Sequence, residues 1–243
     1  MGLFAIINIL ISSFCTSMGA MAVLMIKDVS HKGKDILLAY TAGIMVSASA
    51  YGLIPSAIKL SNITVLVIGI LIGTIVLTIL ESCLPHIDLN HSENTLPNPN
   101  VPLFLVAMSI HNLPEGLSVG ISNMTHTQEL GPMVTFAIGL QNIPEGFLVA
   151  LFLFTQGMNR FKAILFSTMT GLIEFSSGII GILFGQSFEG IVPYALAFAA
   201  GSMLFVVYKE LIPESHGDGN ERASTFAFII GFITMVCLTN LFR

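Results

Sequence analysis

The sequence predicts an all-α membrane protein of eight transmembrane helices built as inverted-topology repeats, with spans 1–3 mirroring spans 6–8 and span 4 mirroring span 5. Three observations predict it. Hydrophobic residues make up 54% of the 243 residues and charged residues only 9%, with a mean hydropathy of +0.87, far above an ordinary soluble domain. Eight apolar runs of about 20 residues, each enough to cross a hydrocarbon core, divide the chain. Two stretches recur at a constant offset in helices that run in opposite directions.

The first run, 3–26, has no basic residue before it and is longer than a signal-peptide core, so it reads as a retained span. Spans 2 and 3, 36–58 and 63–84, follow after short polar connections. Spans 4 and 5, 101–122 and 131–155, carry the polar motifs HNLPEG and QNIPEG. Spans 6, 7 and 8 are placed at 161–185, 190–212 and 224–242. The runs are long and continuously apolar, whereas barrel strands would alternate over about ten residues. The whole chain, 1–243, reads as one integral-membrane transporter domain. Residues 85–100 form its longest loop, between spans 3 and 4, where Pro97, Pro99 and Pro102 suggest a flexible linker.

Orientation follows from the basic residues. Lys27, Lys32, Lys34, Arg160, Lys162, Lys209 and Arg222 share one side, while only Lys59 and Arg243 fall on the other. The positive-inside rule then puts both termini outside the cytoplasm and the 85–100 loop inside it. A multi-pass protein of the plasma (cell inner) membrane is expected, with the lipid bilayer as its solvent. A net charge of −5 spread over short loops leaves no basic footprint for nucleic acid. Cys15, Cys83 and Cys237 lie far apart without a CxxC pair and say nothing of redox compartment.

The repeat joins AGIMVSASAYGLIPSAI, 42–58, to AGSMLFVVYKELIPESH, 200–216. At an offset of 158 residues, Ala42, Gly43, Met45, Leu53, Ile54 and Pro55 recur as Ala200, Gly201, Met203, Leu211, Ile212 and Pro213. HNLPEG and QNIPEG likewise sit in one outward and one inward span. Such repeats commonly hold substrate near the midplane, at their interface and beside interrupted helices.

His111 and Gln141 each lie about ten residues into a span, or roughly 15 Å deep at 1.5 Å per residue. His111 and Glu115 are four apart, as are Gln141 and Glu145; Asn112 and Glu115 are three apart, as are Asn142 and Glu145. Each motif therefore projects three polar side chains from one helical face. Pro114 and Pro144 cannot donate to the carbonyls of Ile110 and Leu140, which predicts a kink and a freed acceptor in each helix. Gly116 and Gly146 permit close helix approach.

Of fourteen acidic residues, Glu115, Glu145 and Glu174 fall deep within spans. A charge at a helix centre costs on the order of 3 kcal/mol on insertion scales, and no lysine or arginine lies at their depth. A divalent cation would supply the missing charge, with His111, Asn112, Gln141 and Asn142 as neutral ligands. Imidazole, carboxylate and amide oxygen suit borderline first-row metals better than Cu(I), and do not exclude Cd2+, Fe2+ or Mn2+. Two neighbouring sites sharing Glu115 and Glu145 are conceivable, one with His111 and Gln141, the other with Asn112, Asn142 and Glu174.

Two tandem PEG helices, a carboxylate in span 6 and LIPES near the end of span 7 resemble the ZIP (Zrt/Irt-like) family of divalent metal transporters across essentially the whole chain. The resemblance implies eight helices with extracellular termini, metal import into the cytoplasm, a homodimer and an elevator-like movement of the site. By position it implies a transport site of His111, Glu115, Gln141 and Glu145, adjoined by a second of Asn112, Asn142, Glu174 and the shared glutamates. Gln141 stands where many relatives have His, and Asn142 where some have Asp. Zn2+ is the first expected cargo; no catalytic cofactor is expected.

Two other functions are conceivable. An intramembrane metal-dependent hydrolase would need a His-rich open zinc site, and HExxH is absent. A proton channel could use the three glutamates but would not require His111 or the amides. Glu210, Glu214, His216 and Asp218 after span 7, and His86, Asp88, His91 and Glu93 after span 3, read either as an exit relay or metal-sensing loop, or as solvated loops. His126, Glu129 and Glu189 could attract cations outside. Met45 and Met203 read as packing residues. Asn62 and Asn123 formally match the N-x-[ST] acceptor pattern, a match common by chance.

Overall fold

The computed structural model describes residues 2–25, 30–82, 100–125, 129–187, 189–217 and 219–241. Lys27, Cys83, His86, Asp88, His91, Glu93, Pro97, Pro99, His126, Asp218, Arg243 and nearly all of the 85–100 loop lie outside the described residues, as does the side chain of Glu189. Eight helical segments follow one another: α1 Gly2–Leu24, α2 His31–Leu60, α3 Ile63–Ser82, α4 Asn100–Ser122, α5 Leu130–Thr155, α6 Arg160–Ser187, α7 Val192–Ser215 and α8 Glu221–Leu241. No strand occurs among the described residues. All but α4 are long and apolar enough to cross a membrane. At 23 residues α4 matches them in length, and it carries His111, Asn112, Pro114 and Glu115.

Local chemistry sets the ends. Ser30 caps α2, its hydroxyl accepting from the Gly33 amide at 3.1 Å, and Asn62 and Asn159 serve the amides of Val65 and Lys162 in the same way. Gly157, at φ 83, turns the chain out of α5 in the left-handed region that favours glycine. Pro102, read as linker, belongs to the first turn of α4, where a missing N–H leaves no helical acceptor unpaired.

Two π-helical turns interrupt α2 at Ser49–Leu53 and α7 at Val207–Leu211. Each ends two residues before a proline, Pro55 or Pro213. A mid-helix proline withholds its N–H and crowds the carbonyl four residues back, and a wider turn relieves both. Pro114 and Pro144 instead sit within uninterrupted α-helix.

The bundle packs pairwise: α1 on α5 and α6, α4 on α6, α2 on α8, and α3 on α7. Closest approach falls at glycines. A Cβ at Gly146 would strike the Thr16 carbonyl, and one at Gly116 the Glu174 carbonyl, so only glycine fits between these backbones. On α3, Leu71, Ile75 and Ile79 form an exposed apolar stripe, as a lipid-facing surface requires.

Candidate metal site

All seven residues singled out from the sequence are buried, none exposing more than 9% of its surface. His111, Asn112 and Glu115 come from α4, Gln141, Asn142 and Glu145 from α5, and Glu174 from α6. They fall into two groups that differ in how their hydrogen bonds balance.

In the first, the Gln141 amide nitrogen donates to Glu115 Oε1 at 2.5 Å. That bond fixes the amide, because the flipped orientation would set oxygen against oxygen. Glu115 Oε2 and Gln141 Oε1 are then buried with no hydrogen-bond partner. Two orphan acceptors side by side are costly in a medium of low dielectric, and they are what a cation needs. His111 Nε2 lies 3.1 Å from Glu210 Oε1 of the α7 π turn.

A cavity of about 380 Å³ reaches this group, lined at depth by His111, Glu115 and Glu145. It extends past Met45 and Phe104 to Lys34 at the start of α2, Gln156 at the end of α5 and Glu214 near the end of α7. Lys34 and Glu214 pair across it at 2.7 Å. Between the π turn of α2 and α5, toward the other membrane face, lies an apolar void of about 10 Å³ beside Met133 and Met235, room for a single water at most.

The second group lies off the cavity. Ser12 of α1 donates its hydroxyl to Glu174 Oε1 at 2.5 Å, and the Asn142 amide donates to Glu174 Oε2 at 2.8 Å and to the Ser12 carbonyl at 3.1 Å. Asn112 is buried with its amide nitrogen unpartnered. Among the described residues, no three His, Cys, Asp or Glu side chains are gathered closely enough to hold a metal by themselves. Amides and a hydroxyl stand between the carboxylates.

The sequence reading missed Ser12 and the contacts of two residues it had named. Ser12 belongs to SSFCTS, whose Ser12, Ser13 and Thr16 are buried on one face of α1; three hydroxyls in an apolar run were the available signal. Glu210 was placed in a loop cluster, but the π turn brings it to His111. Lys34, counted for topology, lines the cavity. Of the remaining cluster, His216 bonds the Ile212 carbonyl at 2.8 Å. Met203 is packed, with the Ser49 hydroxyl 3.9 Å from its sulfur. Asn62 caps α3, and Asn123 accepts from Asn8 at 2.6 Å while donating to Thr135 at 3.2 Å.

Comparison with known families decides the affiliation. A family model described as ZIP Zinc transporter matches residues 98–239. The chain belongs to the ZIP zinc transporter family. It is 31% identical to Zinc transporter GufA of Myxococcus xanthus over 94% of this chain and 95% of that protein. It is 30% identical to Zinc transporter ZIPB of Bordetella bronchiseptica over 92% of this chain and 76% of the relative. To human Zinc transporter ZIP11 it is 38% identical over 57% of this chain and 42% of that protein. The ZIP match and the seven apolar helices together make the chain an integral, multi-pass membrane protein.

Proposed function

We propose that this chain is a carrier importing a divalent transition-metal cation into the cytoplasm through a midplane site between α4 and α5. Zn2+ is its first expected cargo, with Cd2+, Fe2+ and Mn2+ as further substrates. The observation that carries this reading is the orphan acceptor Glu115 Oε2 in the lining of a cavity that also holds His111 and Glu145, with a second orphan, Gln141 Oε1, on the amide bonded to Glu115. Carboxylate, amide oxygen and imidazole make a borderline ligand set, and the relatives are named zinc transporters. Because metal ligands bind deprotonated, cargo entry displaces protons.

Direction is argued from charge. The cavity ends near Lys34, on the side where Arg160, Lys162 and Lys209 also lie, which the positive-inside rule makes cytoplasmic. Termini outside a plasma membrane and release inward follow. The inverted repeat gains support from shared detail at the 158-residue offset: both π turns, Gly43 on Phe228 beside Gly201 on Ile70, and Gly231 on Tyr40 beside Gly73 on Phe198; Thr16 and Glu174, at the same offset, receive Gly146 and Gly116 of the two PEG motifs. A homodimer is proposed on the family resemblance alone.

The test is uptake of Zn2+, Cd2+, Fe2+ and Mn2+ into liposomes, wild type against Glu115→Ala, Glu145→Ala and His111→Ala. Metal flux lost in the glutamate variants is the expected result. Proton flux without metal flux would replace the carrier by a channel.

A further inference from the structure

We infer that this chain carries one cation at a time, because Ser12 and Asn142 close Glu174 into a hydrogen-bonded lock that leaves no second metal site. The inference rests on the carrier reading and deepens it by fixing its stoichiometry.

The two buried groups have opposite balances. Around Glu115 there is a shortage of donors: one carboxylate oxygen and one amide oxygen are unpartnered. Around Glu174 there is none. Oε1 receives the Ser12 hydroxyl at 2.5 Å and Oε2 the Asn142 amide at 2.8 Å, and the side chain is fully buried. Both carboxyl oxygens of a buried side chain are thereby partnered.

The orientation of Asn142 is forced twice over. Its nitrogen also meets the Ser12 backbone carbonyl at 3.1 Å, an acceptor that cannot become a donor. Turning the amide to offer its oxygen to a cation at Glu174 would break both bonds and oppose two acceptors to one another. Of the seven residues His111, Glu115 and Glu145 line the cavity, while Asn112, Gln141, Asn142 and Glu174 do not, so the lock itself is shut off from it.

Ser12 is thus a positioning residue. It joins α1 to α5 and α6 at the depth of the site, its hydroxyl on Glu174 and its carbonyl on Asn142. A carboxylate at 142 would invert the group, placing two acids and the Ser12 carbonyl together with too few donors, an oxygen cluster that calls for a second cation.

The experiment counts Cd2+ bound to the purified full-length chain in detergent micelles, by native mass spectrometry with elemental analysis of monodisperse fractions. One ion per chain is expected for wild type, for Glu174→Gln and for Ser12→Thr, which keeps the hydroxyl. None is expected for Glu115→Gln, and two for Ser12→Ala combined with Asn142→Asp. Two ions on wild type, falling to one in Glu174→Gln, would overturn the lock while leaving the carrier standing. No ion on wild type would remove the carrier reading and the lock with it. A double variant that folds but binds one ion counts against the inference; if it aggregates, wild type against Glu174→Gln still decides.

Discussion

Replacing Gly116 by alanine tests whether the site depends on backbone contact between α4 and α6. A Cβ there would lie 2.7 Å from the Glu174 carbonyl carbon and closer still to its oxygen, whereas carbon atoms rest about 3.5–4.0 Å apart. Neither partner is a flexible side-chain end, so the helices must separate by about 1 Å at the level of Glu174. Overpacking of this severity costs about 3 kcal/mol, offset by about 1 kcal/mol from the better helix propensity of alanine. The net loss of about 2 kcal/mol corresponds to a fall of roughly 4–8 °C in melting temperature for a chain of this length. Gly52→Ala is the control: its Cβ would meet only the Met133 methyl at 3.4 Å, an ordinary contact, so the propensity gain stands alone and the melting point holds or rises. Thermal unfolding in micelles followed by far-UV circular dichroism reads both signs, and Cd2+ uptake should fall only in Gly116→Ala. A Gly116→Ala protein melting at or above wild type with normal uptake would refute the close-contact reasoning.

Four further outcomes are expected. Gln141→His should shift the uptake ranking toward Zn2+ relative to Mn2+ by adding an imidazole; an unchanged ranking would remove Gln141 from the ligands. Glu210→Gln, which keeps an acceptor for His111 but loses the charge, should weaken Cd2+ binding by about tenfold, the lower end for outer-shell partners, read by isothermal titration. Pro213→Ala restores an N–H for the Lys209 carbonyl; if the π turn then closes, the register shifts by about 100° and Glu210 leaves His111. Its effect on affinity should match Glu210→Gln, and the double variant should add nothing. Lys34→Ala breaks an ion pair whose side chains are 22% and 23% exposed and which is worth about 1 kcal/mol, so the melting point should move little. Losing a cation at the cavity mouth should raise the initial rate of Cd2+ entry from that side at low ionic strength, a gain that fades with added salt.

Much of the architecture was legible because lipid imposes a simple rule: a backbone inside it must be helical and its outward face apolar. Seven apolar spans followed from that rule, and the eighth, α4, is a helix of matching length, with ends displaced by a few residues where caps such as Ser30 and Asn159, rather than hydropathy, decide the first turn. The π turns could not be read from composition: Pro55 and Pro213 follow them at matching positions, yet Pro114 and Pro144 sit in uninterrupted α-helix. Glu210 was misplaced for that reason: counting α-helical turns does not bring it to His111. Ser12 was missed because a hydroxyl in an apolar helix is satisfied so easily by its own backbone, as Thr41 is by the Leu37 carbonyl at 2.9 Å, that its sequence position does not announce a distant partner.

The contrast between the two buried groups bears on how three carboxylates are tolerated at mid-depth with no lysine or arginine beside them. Donor supply is the deciding quantity. Glu174 has two strong donors, one from each flanking helix, so its position is a feature of the fold. Glu115 has one, and the amide that supplies it leaves its own oxygen bare, so each bond made on that side creates another acceptor in need of charge. A neutral imidazole at 141 would likewise leave its second ring nitrogen as an acceptor. With glutamine the shortage includes Glu115 Oε2, on a residue that lines the cavity, where something arriving from solvent can relieve it. Water relieves it by donating hydrogen bonds and a cation by its charge, so on the proposed function a cation must displace water from these oxygens.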